Sequence, residues 1–201
     1  MCIRDSSCFN KLQKQFWVIQ RREGYQIGSV AQRIDLNGRT LVYRPYRHRI
    51  SDSVTGYPTK IIPASDGGYY LLGAQNVTFN NQQLRLWQVS RWDSTATRKW
   101  TGQYRFEYTA GVPQEAEFLP NGNLFVSGWH GPQIMALEID TANGRMLDRK
   151  ILYTHPRNFN WGEAAVSRTP YGYFVIAQEA SSADTQRYHA CLLYTSDAAD
   201  E

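Results

Sequence analysis

A hairpin pattern that recurs along the chain limits the available folds more than any other feature. Each copy is a short apolar strand, a tight turn built on Pro, Asp, Asn or Gly, and a second strand rich in aromatic and β-branched residues. The three copies are residues 59–74, 116–128 and 164–177. Their turn glycines, Gly68, Gly122 and Gly172, recur about every 50 residues. A repeat of this length predicts a series of stacked β-units.

A second series of turns follows these hairpins, in residues 31–43, 86–100 and 136–151. In each copy an alternating strand ends at an aspartate, namely Asp35, Asp93 or Asp140. Aspartate side chains accept hydrogen bonds from their own turn, and glycines such as Gly38 and Gly144 adopt a positive φ at little cost. The pattern therefore predicts a tight turn after each aspartate.

Together the two series define one unit: strand, tight turn, strand, longer loop, strand, tight turn, strand. Such a unit is a four-stranded antiparallel blade, and radial repetition of blades buries both faces of small sheets. No segment carries a sustained apolar stripe at helical spacing. We therefore predict an all-β fold, an incomplete β-propeller with a blade period of about 50 residues. A twisted β-sandwich and a solenoid built from the same strands are the alternatives.

The two ends of the chain carry a relation that protein chemistry does not explain. Residues 1–6 (MCIRDS) and 191–201 (CLLYTSDAADE) back-translate to DNA in which the start of the second string is the reverse complement of the first. A transposon-type library adapter read inward from both sides of an insert produces this relation, so we expect both ends to be adapter artefacts. The predicted segments between them are the end of a preceding blade (7–46), two blades (47–105 and 106–154) and a partial blade (155–190).

Charge and cysteine content exclude several classes of protein. Without the two end segments the formal net charge rises from +4 to +7, because Asp197, Asp200 and Glu201 are removed. No block of Lys or Arg accompanies this charge, so no nucleic-acid partner is predicted. Cys8 is the one cysteine between the ends and has no internal partner for a disulfide. No apolar run reaches the roughly 18 residues of a transmembrane segment.

Three strings carry a family resemblance: SDGGYYLLGA (65–74), PNGNLFVSG (120–128) and VSRWDSTATRKW (89–100). They resemble the repeats of bacterial secreted and cell-surface β-propellers, in which a DGGY-type hairpin precedes a strand that ends in Asp. The resemblance implies an exported protein, extracellular or on the cell surface. The string ALEIDTANGRML (136–147) is similar to the docking repeat of quinone-dependent dehydrogenase propellers.

The longer connections are predicted to lie on one face of the propeller. They span residues 46–58, 75–83, 106–113, 129–132, 154–162 and 179–185, whereas the other face carries the tight turns. Long loops on a rigid scaffold often bind ligands, and Trp, Tyr and Arg are frequent anchors. The candidate binding face comprises Arg47, His48, Tyr108, Trp129, His130, His155, Arg157 and Trp161.

The alternative is that these aromatic residues close the end of the core. If they bind a ligand, alanine at Trp129 or Trp161 in the complete protein weakens binding and leaves the melting temperature nearly unchanged. A collapse of stability supports the role in the core.

No catalytic, cofactor-binding or metal-binding residue is predicted. His48, His130 and His155 share the candidate face but lack close ligand spacing. Glu115, Glu117 and Glu163 lie at or near first strands, where paired carboxylates act in glycosidases. Polar residues line the channel of any propeller, and this interpretation is favoured.

Two functions remain open from the sequence. The first is a non-catalytic binding or scaffold propeller that contacts a protein or carbohydrate without a cofactor. The second is part of a glycoside-processing or quinone-dependent enzyme propeller whose active site is completed by further blades.

Overall fold

The computed structural model describes residues 5–10, 15–22, 28–47, 57–108, 110–155, 161–169, 172–179 and 188–194. Side chains are described for residues 32–43, 58–108 and 110–155. All regular secondary structure in these ranges is β-strand. The described residues include no helix that could cross a membrane.

The strands form four antiparallel sheets, and each sheet follows chain order. The first sheet is β1 (Asp5–Asn10), β2 (Gln15–Arg22), β3 (Gly28–Asp35) and β4 (Thr40–Arg47). The second is β5 (Tyr57–Pro63), β6 (Tyr69–Phe79), β7 (Gln82–Trp92) and β8 (Arg98–Tyr104). The third is β9 (Gly111–Phe118), β10 (Leu124–His130), β11 (Gln133–Ile139) and β12 (Met146–Thr154). The fourth is β13 (Trp161–Thr169), β14 (Gly172–Glu179) and β15 (Tyr188–Tyr194).

The first strands of the sheets lie side by side. Strand β1 contacts β5, β5 contacts β9, and β9 contacts β13. Since each sheet runs outward from its first strand, the sheets are arranged like blades around a common axis. The predicted fold class, an all-β incomplete β-propeller of antiparallel four-stranded blades, is confirmed. The segment bounds and the adapter origin of the ends remain predictions.

The turns between the first and second strands of the second and third sheets show that the predicted alignment of the repeats needs one correction. Gly67 has a φ of 85° and Gly122 a φ of 84°, so these two glycines occupy the same position in their turns. Pairing Gly68 with Gly122 was wrong by one residue. Gly68 serves close packing instead, because a Cβ there would lie 2.2 Å from the carbonyl oxygen of Trp92.

The predicted aspartate turns are confirmed. The side chains of Asp35, Asp93 and Asp140 each accept a hydrogen bond from the backbone N–H two residues later, at 2.8–2.9 Å. Gly38 and Gly144 have φ values of 80° and 78°, as predicted. The Thr95 hydroxyl, the Thr97 amide and Lys99 hold the pKa of Asp93 below its ordinary value.

The turns after Asp93 and Asp140 each accept a hydrogen bond from a side chain of the preceding sheet. Arg33 Nη1 donates to the carbonyl of Ser94 at 2.8 Å, and Trp100 Nε1 donates to the carbonyl of Thr141 at 3.1 Å. Ser94 and Thr141 both directly follow the turn aspartate. The Tyr104 hydroxyl also donates to the Gly144 carbonyl at 2.8 Å. Because burial raises the pKa of Tyr104, this hydroxyl stays protonated as the donor.

A shared hydrophobic core joins the second and third sheets. Its buried members are Ile62, Ala64, Tyr70, Leu72, Trp87, Val89, Tyr104, Phe106, Leu124, Val126, Met135, Leu137 and Ile139. At the end of the core near the turn between β5 and β6, the buried Arg91 guanidinium lies 4.9 Å from the centre of the Tyr70 ring and binds the Asp66 carboxylate. This ion pair covers the apolar residues at that end.

Two glycine substitutions test the seating of the third sheet's aspartate turn. A Cβ at Gly144 would lie 2.6 Å from the Trp100 ring, whereas a Cβ at Gly122 meets no atom within 4 Å. Both residues have a positive φ, so each alanine variant loses about 1 kcal/mol from backbone strain. Gly144→Ala should lose roughly 1–3 kcal/mol more through overpacking. Urea unfolding measures both; equal losses would contradict the close contact with Trp100.

Candidate functional site

The predicted long loop at residues 75–83 was wrong. Strand β6 continues to Phe79 and β7 begins at Gln82, so only Asn80 and Asn81 separate them. Both asparagines have a positive φ, of 48° and 59°. A two-residue turn of this kind matches the right-handed twist of paired strands, and Asn tolerates the left-handed conformation. The segment is therefore an ordered β-hairpin.

This hairpin extends beyond the sheet that carries it. Counted from the preceding turn, Gln75 corresponds to His130, the last residue of β10. Strands β6 and β7 have 11 residues each, whereas β10 and β11 have 7 each. We call residues 76–85 the projecting hairpin. The face it extends from is the one predicted to bind.

Side-chain pairs stiffen the projecting hairpin across its two strands. Arg85 Nε donates to Asn76 Oδ1 at 2.9 Å, and Gln83 Nε2 donates to Thr78 Oγ1 at 2.9 Å. Phe79 lies near the tip and is 51% exposed. The Arg105 guanidinium lies 4.8 Å from the centre of its ring, a cation–π contact. An exposed aromatic ring on a preorganised hairpin thus lies beside a cation from the connection that follows β8.

The structure describes the candidate binding-face residues to different extents. Tyr108, Trp129, His130 and His155 are described with their side chains. Arg47 ends β4 and Trp161 begins β13, and only their backbone is described. His48 and Arg157 lie outside the described residues.

The predicted loop at residues 129–132 is also a tight turn. Trp129 and His130 are the last two residues of β10, and β11 begins at Gln133. Trp129 is 8% exposed and packs in a buried cluster with Leu119, Phe125, Ile134 and Ala136. For Trp129, this burial supports the alternative in which the aromatic residues close the core.

His130 is fully buried between the second and third sheets. Its Nε2 lies 3.3 Å from the carbonyl oxygen of Arg85, at the base of the projecting hairpin. The rings of Phe106 and Tyr108 have centres 5.0 and 6.3 Å from the imidazole. Burial lowers the pKa of His130, although the hydrogen bond to Arg85 opposes the shift. The imidazole is therefore neutral at neutral pH.

The turn after β10 brings three candidate residues near each other. Gly131 has a φ of 59°, and a Cβ there would lie 2.4 Å from the Tyr108 ring. The next residue, Pro132, accepts a hydrogen bond from the His155 amide at 2.9 Å. Tyr108, His130 and His155 thus surround this one turn. No sequence pattern indicates that Phe106 packs against His130, because Phe106 follows β8 of the second sheet and His130 ends β10 of the third.

The first strands present charged groups at matching positions. Lys60 of β5 forms an ion pair with Glu115 of β9, and their side chains are 36% and 38% exposed. Each residue directly follows a β-bulge, and Glu163 follows the corresponding bulge in β13. No group of three or more His, Cys, Asp or Glu residues able to hold a metal ion is present in the described part of the chain.

Comparison with known proteins identifies structural neighbours but no family. No family profile and no curated protein matches this sequence. A protein of unknown function from Bacteroides caccae has a TM-score of 0.49 and 14% identity over 82% of this chain and 52% of that chain. The periplasmic gluconolactonase PpgL of Pseudomonas aeruginosa has a TM-score of 0.50 and 14% identity over 91% of this chain and 55% of that chain. This chain spans about half the length of these two proteins. The likeness to PpgL supports the fold alone.

Burial of Trp129 changes the expected effect of its substitution. Trp129→Ala should lower the free energy of unfolding by about 3–5 kcal/mol, because a large buried ring is removed from a packed cluster. Met146, which is 43% exposed on β12, provides the control, and its alanine variant should change stability by less than about 1 kcal/mol. Thermal and urea unfolding measure both. An unchanged melting temperature for Trp129→Ala would restore the interpretation that Trp129 serves ligand binding.

Proposed function

We propose that this protein is a non-catalytic binding propeller that holds a protein partner on the face bearing the projecting hairpin. The observation that carries the proposal is the exposed Phe79 ring on a rigid hairpin, with the Arg105 guanidinium 4.8 Å from the centre of the ring. Aromatic residues and arginine are enriched in protein interfaces, where a few anchor residues carry most of the binding energy. A half-exposed Phe beside a cation therefore has the chemistry of an interface anchor.

The shape of this face favours a protein over a small molecule. Small ligands are usually enclosed in concave pockets that bury most of their surface. The projecting hairpin instead extends outward, and residues Asn80, Asn81, Gln82 and Gln83 around Phe79 are exposed. A projecting anchor fits a hollow on a partner surface. A carbohydrate partner is the competing outcome of the binding experiment below.

Rigidity of the hairpin lowers the free-energy cost of binding. Flexible loops lose conformational entropy when a partner orders them, which reduces affinity. The two-residue turn and the pairs Asn76–Arg85 and Thr78–Gln83 hold the hairpin in one conformation before binding. More of the contact energy at Phe79 is then available for affinity.

The second candidate function is that of an enzyme propeller. It draws on the carboxylate of Glu115 and on the position of Glu163 in the first strand of the next sheet. The structural likeness to a gluconolactonase keeps this candidate open. Glu115 is already engaged by Lys60, so a role as a general base requires the ion pair to open.

Phe79→Ala tests the binding proposal directly. The full chain and the variant are immobilised, proteins retained from the secreted fraction of the source organism are identified, and the dissociation constant of the purified partner is measured. Loss of an anchor residue should weaken binding by at least about tenfold. Arg105→Ala should weaken it less, because part of the contact remains.

Met146→Ala is the matched control, since Met146 is a similarly exposed apolar residue on β12. It should leave the dissociation constant unchanged. Equal affinities for wild type and Phe79→Ala would contradict the proposal. Retention of an oligosaccharide that depends on Phe79 would replace the protein partner by a carbohydrate.

A further inference from the structure

We propose that His130 is a pH-sensitive latch that fastens the base of the projecting hairpin to the third sheet. The inference rests on the proposed function, because it describes how the binding hairpin is held and released. Its own test requires no partner.

The latch is one hydrogen bond between two sheets. Arg85 lies on β7 at the base of the projecting hairpin, and His130 ends β10. A carbonyl oxygen only accepts, so the contact between His130 Nε2 and the Arg85 carbonyl requires the hydrogen on Nε2. In the neutral ring, Nδ1 then carries no hydrogen. Among the described residues, Nδ1 is buried and has no hydrogen-bond partner.

The surroundings of His130 are closely packed and apolar. The Phe106 ring meets the imidazole edge-on, with ring centres 5.0 Å apart. A Cβ on Gly111 would lie 2.7 Å from His130 Cδ2, so the adjacent strand has no spare volume on that side. Protonation would place an N–H at Nδ1 and a positive charge in this environment. Both are unfavourable, because the described residues offer no acceptor to the new donor and the fully buried ring is not in contact with solvent.

The charged groups on the packed elements are engaged elsewhere. The Arg85 guanidinium donates to Asn76, and Arg105 lies over Phe79. Glu107, in the connection before β9, is exposed, and the Tyr108 ring is tilted against the imidazole with ring centres 6.3 Å apart. The His155 ring packs edge-on against Tyr153. On β9, Glu115 pairs with Lys60, and Glu117 is exposed near the opposite end of the strand. No carboxylate contact to the imidazole is seen among these groups.

The direction of the pH effect follows from this environment. The released imidazole titrates near 6.5, whereas burial lowers the pKa of His130 in the latched state. The latch is therefore fully stable above about pH 6.5 and weakens as the pH falls through the lowered pKa. Acidification should free the base of the hairpin before the sheets themselves separate. The partner-binding element would then lose its fixed position.

Hydrogen exchange in the full chain tests the latch. Protection of the backbone amides of residues 82–85 is measured between pH 7.5 and 5 and corrected for the pH dependence of intrinsic exchange. In the wild type, protection should fall by at least about tenfold at the acid end, in line with a buried group that must take up a proton. Amides of residues 133–139 in β11 should keep their protection, which identifies the opening as local.

His130→Gln is the matched variant, because a glutamine amide can donate to the Arg85 carbonyl and does not titrate. Its hairpin protection should be independent of pH in this range. A wild type without the acid-side loss, or a variant with the same loss, would overturn the proposal. If the variant does not fold, NMR titration of the wild type replaces it. The His130 ring and the residue 82–85 amides must then share one midpoint, and separate midpoints would also overturn the proposal.

The two proposals fail separately. Should Phe79→Ala bind normally while hairpin protection still depends on pH, the latch stands without the binding function. Should Phe79→Ala lose affinity while protection is constant, the binding function stands without the latch.

Discussion

The turn aspartates fix how each sheet meets the sheet before it. The Asp93 and Asp140 side chains accept hydrogen bonds from the amides of Thr95 and Ala142 in their turns. The carbonyl of the residue after each aspartate accepts a hydrogen bond from the preceding sheet. The carbonyls of Ser94 and Thr141 have little freedom to move, because they lie in rigid turns. The side chains of Arg33 and Trp100 therefore have to be positioned to reach them. Local turn chemistry thereby sets the spacing between neighbouring sheets, on which the buried core depends.

The spacing between the second and third sheets also determines how aromatic residues pack at the opposite end of their interface. Trp87 packs edge-on against Phe106 with ring centres 5.3 Å apart, and Phe106 packs against His130. This aromatic series places the imidazole under the Arg85 carbonyl, where the projecting hairpin begins. Packing between two sheets is thus connected directly to the position of the element proposed to bind a partner. A positive charge on His130 therefore weakens both the packing between the sheets and the attachment of the projecting hairpin.

Most of the fold was predictable from the sequence, because turns are local. The aspartates and the glycines at positions 38 and 144 identify their turns from adjacent residues alone. The projecting hairpin was missed because four consecutive polar residues, 80–83, interrupt its pattern, although Val77 and Phe79 alternate with polar residues as in a half-buried strand. The pair Asn80–Asn81 between two extended runs was a second signal. The burial of Trp129 and His130 depends on residues in other strands and sheets, which no short window contains.

Cross-strand nuclear Overhauser contacts in the full chain test most directly the claim that residues 76–85 form an ordered, projecting hairpin. The structure pairs Val77 with Leu84 and Thr78 with Gln83. At neutral pH we expect contacts between the backbone protons of these pairs, together with strand-like chemical shifts on both sides of Asn80 and Asn81. Random-coil shifts without cross-strand contacts would contradict the account, since a disordered segment could present neither Phe79 nor Arg85 in a fixed position.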